Sequence, residues 1–201
     1  MMTKPTPEKN LFIVFYLNAI YPLGPSLKSF LVDNIKSCSF GKNEIIANEG
    51  ELCNRLYLIK RGMVRGYYKN ESSEITTWID SENEIFTSTT SFFRNQPSKE
   101  YIQSVEDTHC DYLEYDDYKY CLNNFAEMRH INRILLEEYY MLAEHRVYLA
   151  RIPNAKKRLD FFVENRKPQE IQRMPKKHLA SYLAMRPETL SRLLKEKKLA
   201  S

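Results

Sequence analysis

The strongest constraint on the fold is a change of period partway along the chain. Between residues 39 and 116, six short stretches rich in β-formers stand close together: EIIA (44–47), RLYLI (55–59), MVRGYY (63–68), EITTWI (74–79), YIQSV (101–105) and CDYLEY (110–115). The turn-prone segments FGKN, NEGE, KRG, KNESS and NQPS separate them. Many short strands at this spacing predict an antiparallel sandwich, roll or barrel rather than a parallel α/β sheet. From about Asp117 the spacing becomes helical, and residues 127–152 contain neither Gly nor Pro. Helical spacing also precedes the strands, in LFIVFYLNAIYPLG (11–24) and PSLKSFLVDNIKS (25–37). Asn18 and Tyr21 interrupt the first of these, so it reads as an N-terminal helix ending near Pro22 and Gly24, not as a signal peptide or a membrane span. The expected class is α+β: an antiparallel sandwich or barrel followed by helices.

Charge divides the chain in the same way. Residues 151–201 hold 14 Lys and Arg against 5 Asp and Glu, whereas residues 1–150 hold 16 against 21. A basic C-terminal part beside an acidic N-terminal part predicts two tasks, the second involving a polyanion. Three segments are expected: a roll with its N-terminal helices (1–126), a long helix (127–152) and a C-terminal domain (153–201). Cys38, Cys53, Cys110 and Cys121 form no CxxC pair and are expected as reduced, buried thiols of a cytoplasmic protein. His109, His130, His145 and His178 form no HxxxH pair, so no metal or other cofactor is expected. An enzyme on such a roll would need a metal-binding cluster on the strands, and only His109 lies there, so no enzymatic activity is expected.

The long helix repeats apolar residues in a heptad-like stripe of Met128, Ile131, Leu135, Leu142, Leu149 and Ile152, with Glu138 and His145 in the same line. Ile131, Leu135, Glu138, Leu142, His145 and Leu149 therefore form a candidate dimer seam whose polar members would fix register. A helix packed against its own roll would carry the same stripe, and spacing does not separate the two readings.

The segment PKKHLASYLAMRPETLSRLLKEKK (175–198) fits a twenty-residue helix–turn–helix unit starting at Lys176. Leu179, Leu183, Met185, Leu190 and Leu193 occupy its apolar places, and Ala180 is the small residue where the two helices touch. The ninth place, where a positive φ favours Gly, holds Ala184. Pro187 and Glu188 suit a helix start. Glu188, Ser191, Arg192 and Lys195 share one face of the second helix. Glu188, Ser191 and Arg192 offer an acceptor for cytosine N4 and a fork for guanine O6 and N7. Lys176, Lys177, Arg186, Thr189, Lys195, Lys197 and Lys198 are candidates for phosphates of double-stranded DNA. The alternative is a solvated charged face, or a hairpin serving a roll that binds a ligand or a protein without reading DNA sequence.

Ala180, Leu183, Glu188, Thr189, Ser191 and Arg192 stand as A-x-x-L-x-x-x-x-E-T-x-S-R, which resembles the Crp/Fnr family of bacterial transcription regulators. Residues 40–68, with Gly50, Gly62 and the strand around Tyr57, and residues 75–108 resemble that family's cyclic-nucleotide-binding-type roll. The resemblance spans essentially the whole chain. It implies a β-roll (jelly-roll) effector domain, a long dimerisation helix and a C-terminal helix-turn-helix domain. It further implies a homodimer on DNA, RNA polymerase as a partner and a small-molecule effector, with Glu188, Ser191 and Arg192 reading bases. Two departures follow from the same resemblance. Where members that bind cyclic AMP carry Gly-Glu and Arg-Ser, this sequence aligns Thr87-Ser88 and Ser98-Lys99. The ribose-binding carboxylate and phosphate-binding fork are replaced, so the effector is expected to differ from cyclic AMP. Thr87, Ser88, Thr89, Ser98 and Lys99 remain as candidate effector-pocket residues; equally, the run Thr87–Ser91 suits a capped turn. The cysteine cluster of oxygen-sensing members is missing, so no iron–sulfur cluster is expected. The sequence also stops soon after Lys198, and a truncated or absent wing is expected.

Overall fold

The structure, a computed structural model, describes residues 11–197. Two helices, α1 (Leu11–Ile20) and α2 (Pro25–Asn34), lead into β1 (Lys36–Phe40), β2 (Ile45–Ala47), β3 (Arg55–Arg61), β4 (Val64–Asn70), β5 (Ser73–Asp80) and β6 (Ile85–Phe86). A short helix α3 (Thr89–Arg94) precedes β7 (Tyr101–Ser104) and β8 (Thr108–Glu114). The rest is helical: α4 (Tyr115–Asn124), α5 (Ala126–Arg151), α6 (Ala155–Glu164), α7 (Pro168–Arg173), α8 (Lys176–Tyr182) and α9 (Pro187–Glu196). Among the described residues no strand lies beyond β8.

The strands form two antiparallel four-stranded sheets, in the orders β1-β8-β3-β6 and β2-β7-β4-β5. Every stretch rich in β-formers in the sequence became a strand. Two further strands did not announce themselves. β1, KSCSF, is mostly polar and largely exposed, so it lacks the apolar alternation that marks a half-buried strand. It also cuts short the helix expected over 25–37, which ends at Asn34. β6 has two residues. Asn43, Gly50, Gly62, Glu71 and Asn83 take positive φ in the turns.

Three cores follow. Between the sheets lie Tyr57, Ile59, Val64, Trp78, Phe86, Ile102 and Cys110, with Tyr57 and Phe86 stacked at 4.8 Å. The outer face of the first sheet, through Leu58 and Leu113, packs on α1, α2, α4 and α5. The third core joins the C-terminal helices to the roll: Met63, Ile79 and Val105 pack with Leu149, Leu159, Phe162 and the leucines of α8 and α9. The C-terminal helices are therefore docked on the second sheet rather than held apart from it.

Ile131 (0% exposed) and Leu149 (4%) of α5 are covered by their own chain, the first in the core beside α1 and α2 and the second in the core with the C-terminal helices. Leu135 is half-buried in the first of these cores. Glu138, Leu142 and His145 are exposed. A second stripe lies on another face of the helix: Leu136, Tyr140 and Val147 are 46, 71 and 62% exposed, with Ala143 between them. Their four-three-four spacing is that of a coiled-coil seam.

Candidate nucleic-acid interface

α8 and α9 pack as the pattern requires. Leu179, Ala180, Leu183, Leu190 and Leu193 are all at most 4% exposed, and Met185 is half-buried. Ala184 takes φ +47° in the turn, a conformation that costs a residue with a Cβ about 1–2 kcal/mol. Arg158 on α6 holds this turn: its guanidinium donates to the Leu183 carbonyl (2.8 Å), the Ala184 carbonyl (2.9 Å) and, at the end of α5, the Ile152 carbonyl (2.6 Å). Nothing in the pattern of residues 175–198 pointed to Arg158, which lies outside the segment. Replacing Ala184 by Gly should stabilise the fold by about 1 kcal/mol, measured as a rise in the denaturant midpoint without a change in slope. A lowered midpoint would show that the turn is not strained.

The outer face of α9 brings together Pro187, Glu188, Ser191, Arg192, Lys195 and Glu196. Glu188, Arg192 and Lys195 are exposed and Ser191 half-buried, so the three expected base-readers do share one accessible face. Glu196 went unnoticed in the sequence although it lies at i+4 from Arg192. Its carboxylate accepts from the Arg192 guanidinium at 2.9 Å, a surface pair worth only about 0.2–0.5 kcal/mol.

The expected phosphate contacts divide. Lys176, Arg186 and Lys195 are exposed, and Thr189 is half-buried. Lys177 is exposed but its ammonium lies 3.9 Å from Glu74 on β5. Lys197 is turned back onto α6, 2.7 Å from Asp160; this ion pair places its charge away from the α9 face, against the expectation for it. Lys198 lies outside the described residues.

Docking of this unit on the roll depends on residues far apart in sequence. β5 is the edge strand of its sheet, and its outward backbone groups need partners. The Ser181 hydroxyl supplies them: it accepts from the Thr76 N–H and donates to the Glu74 carbonyl, both at 2.9 Å. Arg65, 1% exposed, donates to Gln103, Thr76 and Glu74 and lies 4.1 Å over the Tyr67 ring. Arg173 on α7 reaches both Glu82 (2.7 Å) and Glu106. Burial would raise the Glu82 carboxyl, but the Arg173 pair and the Gly62 N–H hold it down at about 2. Arg166 spans Glu84 (3.1 Å) and the Ile79 carbonyl (2.9 Å). Burial first, then the charges of Arg65 and Lys177, push His178 down to about 4, so it is neutral at the joint at ordinary pH.

The expected effector-pocket hydroxyls are mostly engaged inside the protein. Thr87 donates to the Arg55 carbonyl (2.8 Å). Ser88 and Ser98, 1 and 3% exposed, bond to each other at 2.9 Å, and Ser98 also donates to the Glu100 carbonyl at 2.7 Å. Ser91 accepts from the Cys53 N–H at 2.6 Å. Thr89 bonds to Tyr139 of α5 at 3.0 Å. Lys99 is exposed and lines, with Thr89, Trp78 and Arg146, an open cleft of about 370 Å³. Trp78 fills the adjoining roll interior, its indole N–H on Glu100 at 2.8 Å. It sits so close to Gly66 that a Cβ there would lie 2.1 Å from the ring.

Among the described residues, no helix is long and apolar enough to cross a membrane, and no group of three His, Cys, Asp or Glu could hold a metal ion.

Residues 37–125 match the family model of the cyclic nucleotide-binding domain. No curated protein sequence matches the chain. Among solved structures, FixK2 from Bradyrhizobium japonicum is similar with a TM-score of 0.71 and 16% identity, over 82% of this chain and 84% of that one. A Crp/Fnr-family transcriptional regulator from Eubacterium rectale gives 0.70 and 20%, over 92% and 88%. A CooA mutant from Carboxydothermus hydrogenoformans gives 0.67 and 22%, over 95% and 85%. A roll whose residues 37–125 match the cyclic nucleotide-binding domain model, a 26-residue helix beneath it and a helix–turn–helix pair docked on its edge together give this chain the fold of the solved Crp/Fnr-family regulators.

Proposed function

We propose that the chain is a DNA-binding transcription regulator of Crp/Fnr type, a cytoplasmic homodimer that reads a pseudo-palindromic operator and works with RNA polymerase. The observation that carries this reading is the α9 face: Glu188, Ser191 and Arg192 are adjacent and accessible on the outer side of a helix whose inner side is fully packed. Phosphate contacts come from Lys176, Lys177, Arg186 and Lys195. Two such helices, about 34 Å apart in a dimer, match successive major grooves. Selection of bound sites from a random pool of duplex DNA tests this. An inverted-repeat motif with half-sites one helical turn apart is the expected result, and recovery of no motif would refute it.

The dimer seam in this reading is Leu136, Tyr140, Ala143 and Val147 rather than the stripe through Ile131 and Leu149. Replacing Val147 by Glu places a charge in that seam and should shift the protein to monomer in sedimentation at micromolar concentration. An unchanged dimer would locate the interface elsewhere.

Cyclic AMP is not the effector in this reading. The phosphate-binding fork is replaced, Ser88 and Ser98 satisfy each other, and Trp78 occupies the roll interior. Regulation is a population shift between a docked and a released pose of the C-terminal domain. The docked pose has lower DNA affinity, because Glu74 competes with phosphate for Lys177. Ser181→Ala removes two hydrogen bonds that hold α8 to the β5 edge, each worth about 0.5–1.5 kcal/mol. It should raise DNA affinity several-fold in an anisotropy titration; equal or weaker binding would contradict the assignment of the docked pose.

A further inference from the structure

The interior of the roll is filled, yet the protein holds a sizeable apolar space on the opposite side of the first sheet. A cavity of about 340 Å³ lies between β3, β6 and β8 and the helices α1 and α5. Its walls include Leu58 and Leu113 from the sheet, Ile13 and Leu17 from α1, and Met128 and Leu135 from α5. The mouth is bordered by Leu136, Tyr139 and Leu142 of α5. Interiors pack as densely as organic crystals, with few voids larger than a water molecule. A cavity walled by aliphatic side chains does not hold water well and accepts apolar molecules instead. This volume falls in the range of small-molecule sites, about 300–1,000 Å³.

The polar groups that reach the cavity are already engaged. Tyr118 donates to Asn132 at 2.5 Å, Tyr139 is bonded to Thr89 at 3.0 Å, and Glu84 is held by Arg166 at 3.1 Å. Asp80 and Arg146 line the same end, where burial first and then the Glu84 carboxylate push the Asp80 carboxyl up to about 7. An occupant therefore meets mainly apolar walls, with the buried Asp80 carboxyl at one end.

We propose that this cavity is a binding site for a small uncharged apolar molecule, and that its occupancy sets the position of α5. The site touches α5 along Met128, Leu135, Leu136, Tyr139 and Leu142. Asp80 at its inner end also lines the cleft between α5 and α6 with Arg146 and Arg166, so a ligand that moves α5 bears directly on the joint to the C-terminal domain. The regulatory half of this inference rests on the reading of the chain as a DNA-binding regulator; the binding half does not.

The test uses the full chain and the uncharged fluorophore N-phenyl-1-naphthylamine, without DNA. Saturable binding of one fluorophore per protomer is expected, displaced by dodecanol and not by cyclic AMP. Leu17→Phe fills the cavity from α1, and Leu142→Trp narrows its mouth from an exposed position outside the proposed dimer seam. Each should weaken binding by at least about tenfold, with native thermal unfolding as the control. Absence of saturable binding, equal binding by both variants, or displacement of the fluorophore as rising protein concentration drives dimerisation would each overturn the site, the last in favour of a second copy as occupant. Dodecanol should then change DNA affinity several-fold in the parent protein but not in Leu142→Trp. Binding without that change would overturn the coupling to α5. A chain that failed to bind DNA at all would still bind the fluorophore, which separates this inference from the proposed function.

Discussion

Arg192→Ala should cost about 1–3 kcal/mol per half-site, and roughly twice that for a dimer on a full operator, because the two half-sites are far apart and their losses add. The loss should fall on the operator and not on random duplex. The guanidinium on the α9 face is the one group there able to grip guanine O6 and N7 with two parallel bonds. Its intramolecular partner Glu196 is exposed, so little is lost in releasing it. Competition titrations with the selected operator and with scrambled DNA measure the difference, and selection on the variant should show relaxed base choice at one position per half-site. Equal weakening on both DNAs would reduce Arg192 to a phosphate contact.

Gly66→Ala should destabilise the protein by about 2–4 kcal/mol. In an ordinary strand the same change is favourable, since Gly carries a backbone entropy cost of about 0.5–1 kcal/mol relative to Ala. Here the added Cβ would lie 2.1 Å from Trp78 Cε2 and Nε1 and 2.6 Å from Cζ2. The facing strands are hydrogen-bonded at this register, Gly66 opposite Trp78, so the backbone has little room to retreat. The indole must turn away, losing its bond to Glu100 and its packing on Phe86. Overpacking costs of about 1–3 kcal/mol and a lost hydrogen bond of about 1 kcal/mol combine to the stated range. Denaturant unfolding followed by fluorescence of this single tryptophan reads both the stability and the displacement. Combining Gly66→Ala with Trp78→Leu should cost less than the sum of the two single changes; strict additivity would show that the ring is not the obstacle.

What could be read from the sequence is what local spacing encodes. The α9 face was legible because Glu188, Ser191, Arg192 and Lys195 follow from one helical period, and Ala184 was legible as a misfit because the turn needs a left-handed residue there. Strands with β-branched or aromatic residues were legible, whereas β1 was not, since a polar edge strand carries no apolar alternation. α5 shows a subtler limit. Two apolar stripes run along it, and of the regular heptad Ile131 and Leu149 are buried within the chain, Leu135 is half-buried and Leu142 is exposed. A period tells that a face is buried but not by what. The joint between the halves was invisible for a different reason: Ser181 meets Glu74 and Thr76 across more than a hundred residues, and Arg173 meets Glu82 across ninety-one. Single polar residues paired at such range leave no pattern in one sequence. The close contact of Trp78 with Gly66 was likewise hidden, because it depends on the glycine that happens to face it.

The central claim is that the basic C-terminal unit binds duplex DNA as a dimer, and salt dependence tests it most directly. Lys176, Lys177, Arg186 and Lys195, all exposed, are the four proposed cationic phosphate contacts of each protomer. If both protomers engage, log K should fall with log salt at a slope of about −7, and if only one does about −4, from release of condensed counterions at about 0.9 per neutralised phosphate. A slope near zero would contradict the account, because a surface that binds DNA without displacing counterions is not making the contacts described.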